Sequence, residues 1–107
     1  MSKISIAFAD LVLRGTKVSR PKSTFLGYAD ATLVITAGDV EVLQFRLRNM
    51  QLKVVNGTFR MDFHSEKGSD GTWYPTCFPK TALSRKRLTA AIKRAYAAHL
   101  SASRVAA

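Results

Sequence analysis

The chain has 107 residues, enough for one domain around one modest core. With 47% hydrophobic residues it is not a disordered chain, its longest apolar runs fall far short of a membrane span, and its single cysteine, Cys77, excludes an internal disulfide framework. Seventeen Lys and Arg against seven Asp and Glu give a formal net charge of +10. An excess of that size points to an anionic polymer or surface, nucleic acid before an acidic membrane.

No linker, repeat or low-complexity tract divides the sequence, so residues 1–107 read as a single domain, with strands over about 3–79 and a helix over about 84–100. Ile4, Ile6 and Phe8 alternate with small residues and lead into "ADLVLR", a first strand. "GTKVSRPKS" interrupts it as a basic loop carrying Lys17, Arg20 and Lys22, with Arg14 just before it. From Thr24 to Thr36, Phe25, Ala29, Ala31, Leu33 and Ile35 share one parity and predict a second strand, closed by an Ala-Gly-Asp turn at 37–39. Leu43, Phe45 and Leu47 then alternate with Gln44, Arg46 and Arg48, predicting one buried and one basic face. Asn56-Gly57 between "MQLKVV" and "TFRMDF" suits a type I′ hairpin turn, because both positions take positive φ. "SEKGSDG" (65–71) reads as a polar loop, and "TWYPTCFP" (72–79) as an extended aromatic segment that Pro75 confines to an edge or a bulge. Strands followed by one helix make an α+β pattern, an antiparallel sheet of about five strands with a C-terminal amphipathic helix.

In that helix Leu88, Ala91, Ile92, Ala95, Tyr96 and His99 fall on one face, and Lys86, Arg87, Lys93 and Arg94 gather opposite them. Ser84 is the N-cap candidate, which puts Arg85, Lys86 and Arg87 at the positive end of the helix dipole. No acid follows Gly71, so no partner three or four residues away neutralises these cations. A cationic helix start costs helix stability and favours phosphate, whose natural seat is the free N–H groups of that end. Trp73, Tyr74 and Phe78 are candidates for stacking on unpaired bases.

Catalysis has little to stand on. His64 and His99 are 35 residues apart, Cys77 lacks a partner at metal-ligand spacing, and no phosphate-cradling or dinucleotide motif is present. Cys77, set between apolar and Pro positions, reads as buried and inert, and no metal site or cofactor is expected.

The stretch from Phe59 to Tyr96 resembles the SpoVG family of small bacterial nucleic-acid-binding regulators. The resemblance is carried by "FRMDFHSEK" after the hairpin, then Asp70-Gly71-x-Trp73, Pro79, and Arg85-x-Arg87-Leu88-x-x-Ala91-Ile92-x-x-x-Tyr96. The first 58 residues match only in strand pattern. The resemblance implies an antiparallel sheet with a C-terminal helix, a homodimer, no catalysis, and contacts to nucleic acid through Ser65 and Lys67 in the loop and Arg85, Arg87 and their neighbours in the helix. The chain departs from the pattern in His64, which stands where Pro is usual, and in the extra cations Lys86, Lys93 and Arg94. It also ends in Arg104 and alanines where an acidic tail is usual. These changes make it more basic than the family and favour a phosphate-led mode of binding.

The sequence therefore predicts a cytoplasmic, homodimeric nucleic-acid-binding regulator, nucleoid-associated if its partner is DNA, with DNA favoured over RNA. No enzymatic activity, small-molecule substrate or membrane partner is expected. Arg85, Lys86, Arg87, Lys93 and Arg94 would grip phosphates, flanked by Lys80, Ser65 and Lys67, and Arg14, Lys17, Arg20 and Lys22 would form a second patch. The alternatives are an RNA or single-strand binder that uses the aromatics, and a membrane-surface protein that uses the basic helix.

Overall fold

Alternating apolar and small or polar residues carry the chain through its strands before a single change to helical periodicity. The computed structural model describes residues 3–106, with side chains through residue 102; Arg104 lies outside those described side chains. The architecture is α+β. Strands β1 (Ile4–Arg14), β3 (Ser23–Ala37), β4 (Val40–Val55) and β5 (Thr58–Asp62) pair antiparallel in the order β1-β3-β4-β5, and β2 (Val18–Arg20) continues the line of β1 along β3. A separate two-stranded ribbon, β6 (Ser65–Lys67) with β7 (Trp73–Pro75), leads to helix α1 (Ala82–Ala106).

The turns follow their sequences. Asn56 and Gly57 both have positive φ, 50° and 79°, as the hairpin between β4 and β5 requires. Two expected loops are partly strand: β2 lies within the basic segment 15–23, and β6 within segment 65–71. Segments 40–48 and 50–55 are one continuous strand, because Asn49 absorbs the irregularity between them as a bulge with φ 59°.

Bulges decide which residues share a face. Between the pairs Phe25↔Lys53 and Gly27↔Leu52, β3 holds one extra residue, Leu26. Leu26 packs against the core, and Phe25 moves to the opposite face from Ala29, Ala31, Leu33 and Ile35, contrary to the parity expected of it. Two further bulges, at Asp10 in β1 and Asn49 in β4, flank Asp30 of β3. Asp30 is 8% exposed; its carboxylate accepts the Asn49 backbone N–H at 2.9 Å and an Arg14 guanidinium N–H at 2.8 Å. The Asn49 amide first, and then Arg14, hold its carboxyl below the usual carboxylate range against the opposing effect of burial.

The core lies between one sheet face and α1. Met50, Leu52 and Met61 from the sheet meet Ala91 and Ile92 of the helix, with Leu88, Ala95 and Tyr96 packed around them. Each large side chain buried there contributes about 1.5–3 kcal/mol. Ala29 and Ala31 of β3 lie fully buried within the same core cluster. The helix packs on β5 and β1 and does not reach the far end of the β3–β4 hairpin. Register places Ile4, Leu43 and Phe45 on the core face there, yet they are 69%, 44% and 50% exposed. The buried face expected for Leu43 and Phe45 is thus uncovered in the single chain.

Candidate nucleic-acid interface

The helix begins three residues earlier than its periodicity suggests. Thr81, not Ser84, is the N-cap: its Oγ1 accepts the Ser84 N–H at 3.1 Å, and its carbonyl accepts the Arg85 N–H at 3.0 Å. Ala82, Leu83 and Ser84 fill the first turn, which carries no acid and no cation. Arg85, Lys86 and Arg87 therefore enter in the second turn, where the dipole has largely decayed, and the electrostatic cost expected of them is small.

The helical cations form two rows rather than one face. Lys86 and Lys93 are seven residues apart, as are Arg87 and Arg94, and the rows are offset by about 100° because consecutive helical residues are. Lys86 and Lys93, with Arg85, line a groove of about 720 Å³ between α1 and the outer edge of β5. Arg60 borders the same groove at the outer edge of β5, its side chain leaving from the sheet face opposite to Phe59 and Met61, which with Ala90 make the floor. Among the described residues no carboxylate lines it. Four cations around an apolar, acid-free floor give the groove a positive potential that would attract an anion. Arg87 and Arg94 lie on the helix's other flank, beside Ile4, Ser5 and Ile6, where an Arg94 N–H donates to the Ile6 carbonyl at 3.3 Å.

Near the helix start, Ser65 and Arg85 line a second cleft of about 350 Å³ with Gln51, Asp62, Phe63, Pro75 and Phe78. The structure thus brings two sequence-selected residues from distant segments together. Lys67 and Lys80 are exposed nearby, Lys67 opposite Trp73 in the β6–β7 ribbon. Asp70 orders the turn of that ribbon, accepting the Tyr74 hydroxyl at 2.6 Å and the Thr72 N–H at 2.9 Å; Tyr74 first, then Thr72, keep its carboxyl below the ordinary range. Trp73, Tyr74 and Phe78 are 64%, 51% and 60% exposed, so these aromatics are surface residues. Cys77 is exposed too, contrary to the buried position expected of it, because segment 72–79 runs as a ribbon edge outside the core.

The second basic patch divides. Arg14 is committed to Asp30 and to Asn49, whose Oδ1 it reaches at 2.5 Å, so this guanidinium is built into the sheet. Lys17, Arg20 and Lys22 remain exposed along β2 and its turns. Arg60 is the residue that sequence reasoning missed; its position opposite Lys53 in the hairpin was readable, but its meeting with a helix 25 residues later was not. Among the described residues no cluster of His, Cys, Asp and Glu is placed to hold a metal ion, and no described helix is long and apolar enough to cross a membrane. Comparison with family models, curated proteins and solved structures returns no match.

Proposed function

We propose that the protein binds nucleic acid by its phosphates, along the groove between α1 and β5, and acts by binding rather than by catalysis. The observation that carries this reading is the convergence of Arg60, Arg85, Lys86 and Lys93 on one groove that holds no described carboxylate. One of these cations, Arg60, comes from a strand with no local reason to meet the helix, so the cluster is a property of the fold. Duplex DNA is favoured over RNA, since an apolar groove floor with cationic walls follows a backbone and offers few polar groups to read a 2′-hydroxyl. The resemblance of segment 59–96 to the SpoVG family supports the same class, a small cytoplasmic bacterial regulator, with Ser65, Lys67 and Lys80 flanking the groove. A homodimer is part of the proposal: the apolar strip of Ile4, Leu43 and Phe45 suits a second copy, and two grooves on one assembly bind with higher avidity. The exposure of Trp73 and Phe78 favours a second reading, in which the ribbon stacks on unpaired RNA or DNA bases beside the groove.

A binding panel of duplex DNA, single-stranded DNA, RNA and anionic vesicles tests the proposal. The expected outcome is salt-sensitive binding to nucleic acid and weaker retention on vesicles. Vesicle binding alone, or no binding to any polyanion at low salt, overturns it.

A further inference from the structure

The sheet face turned away from α1 is a second surface, and the groove reading leaves it unexplained. Among the described residues no element covers it. Register assigns its side chains without ambiguity: Arg14, Tyr28, Gln51 and Asp62 stand in one row across four strands, and Val18, Phe25, Lys53 and Arg60 in the next. The Leu26 bulge is what brings Phe25 to this side. The rings of Phe25 and Tyr28 meet edge to face, 5.1 Å between centroids at 67°. Gly15, at φ +90°, passes beside Tyr28; a Cβ there would lie 3.5 Å from the ring. Tyr28 is therefore held between a turn and a neighbouring ring, yet is 40% exposed. A shallow groove of about 530 Å³ runs past both rings, with Arg20 and Lys53 on its walls.

The charge on this face is one-sided. The carboxylates beside these rings are already engaged, Asp30 with Arg14 and the Asn49 amide, Asp62 with Lys53 at 2.5 Å, and Glu41 lies far off near the hairpin tip, where it accepts the Gln44 amide. Arg20 and Arg48 are exposed, Arg48 only 4.0 Å from the already bonded Asp30, so the face as a whole is cationic. A pre-positioned aromatic ring on an open antiparallel sheet, bordered by cations, is the combination that takes up an unpaired base and its flanking phosphates. A duplex keeps its base faces stacked inward and cannot use the ring. A second copy of this chain, at net charge +10, would bring like charge to the face.

We propose that this open face is a binding site for single-stranded nucleic acid, with one base stacked on Tyr28 beside Phe25 and adjacent phosphates on Arg20 and its neighbours. Apart from Arg60, which stands on the β5 edge between the two surfaces, the site is separate from the α1–β5 groove and would let the protein hold duplex and unpaired strand at the same time, one on each side of the sheet.

The test uses the full chain and fluorescence anisotropy, with labelled oligothymidine and a labelled duplex measured in parallel. Tyr28→Leu keeps apolar bulk and removes the stacking face. It should weaken oligothymidine about tenfold, the lower part of the range for one stacked base, and leave the duplex within about twofold, while Tyr28→Phe should bind both like the unaltered protein. Arg20→Gln, at an exposed position, should flatten the single-strand log–log salt slope by about 0.7, one phosphate contact. Unchanged oligothymidine affinity in Tyr28→Leu overturns the proposal, as does an equal loss on both probes. Should circular dichroism show Tyr28→Leu unfolded, Arg20→Gln decides, and an unchanged slope overturns it. Lys86→Ala/Lys93→Ala reports on the helix groove alone: unchanged duplex binding there refutes the groove and leaves the Tyr28 result standing.

Discussion

Replacing Lys86 and Lys93 together with alanine should change how binding to duplex DNA responds to salt more than it changes the fold. Four cations line the α1–β5 groove, Arg60, Arg85, Lys86 and Lys93. If each neutralises one phosphate, the log–log salt slope per bound subunit is about −3.6, from about −0.9 for each contact. Raising salt from about 50 to 200 mM then weakens binding about 150-fold. The double variant keeps two contacts, so its slope should be about −1.8 and the same change of salt should cost only about twelvefold. Both lysines are exposed and alanine is the better helix former, so stability should stay within about 0.5 kcal/mol or rise. Anisotropy titrations of a mixed-sequence duplex at four or five salt concentrations measure the slope directly. Arg87→Ala/Arg94→Ala removes the same charge from the β1 flank of the helix and should leave the slope near its original value. A slope that stays near the original in the lysine variant refutes the reasoning. Equal flattening by both pairs also refutes it, because net charge and not the groove would then be responsible. A loss confined to one DNA sequence would show that these side chains read bases.

Thr81→Ala should cost about 1 kcal/mol of unfolding free energy as a lost N-cap, and Ser84→Ala less, both read from urea midpoints; the reverse order would restore Ser84 as the cap. Asp30→Asn should destabilise by about 1–3 kcal/mol, because a hydrogen-bonded charge is lost beside Arg14. Since the native carboxyl titrates below its unfolded value, its contribution is fully present above the unfolded pKa and fades as pH falls through the depressed native one. The gap between wild type and Asp30→Asn should therefore close in acid, and a pH-independent gap would refute that account. Cys77→Ser should leave unfolding within about 0.5 kcal/mol of wild type, and the native thiol should react with Ellman's reagent without denaturant; a masked thiol would contradict its exposure. Light scattering should give twice the 11.8 kDa chain mass, returning to 11.8 kDa in Phe45→Glu; a monomer in the unaltered protein would remove the dimer from the proposal.

Where information is local, the sequence and the structure agree. Asn56-Gly57 dictates its own turn, and the Leu88-to-His99 stripe names the buried side of α1, because both depend on neighbours within a few residues. The expectations fail where one extra residue changes the count. Leu26 carries no mark that distinguishes a bulge from a regular strand position, so parity alone assigns Phe25 to the wrong face. Thr81 and Ser84 are both cap formers by chemistry, serine the stronger, and only the bonds that the Ser84 and Arg85 N–H groups make to Thr81 separate them. The groove shows the same limit at longer range: three of its cations belong to one helix, but Arg60 joins them only once the sheet is assembled. Asp30 carries a signal of its own in the sequence, a lone acid within the small and apolar run "GYADATLVI".

The paired bulges around Asp30 also divide the sheet into two compartments with different freedom to vary. On the side of Met50 and Leu52 the strands are tied to α1, and a one-residue slip there would turn the core side chains outward. On the side of the 38–39 turn, the β3–β4 hairpin projects past the helix, its last core-packed residues being Leu33 on β3 and Leu47 on β4. Asp30 clamps the boundary, since its carboxylate binds β4 through Asn49 and β1 through Arg14. Residues added or removed in pairs near the hairpin tip would be absorbed there, like links let out beyond a cleat. The length of that arm is therefore an adjustable dimension of the molecule, free to change without disturbing the α1–β5 groove.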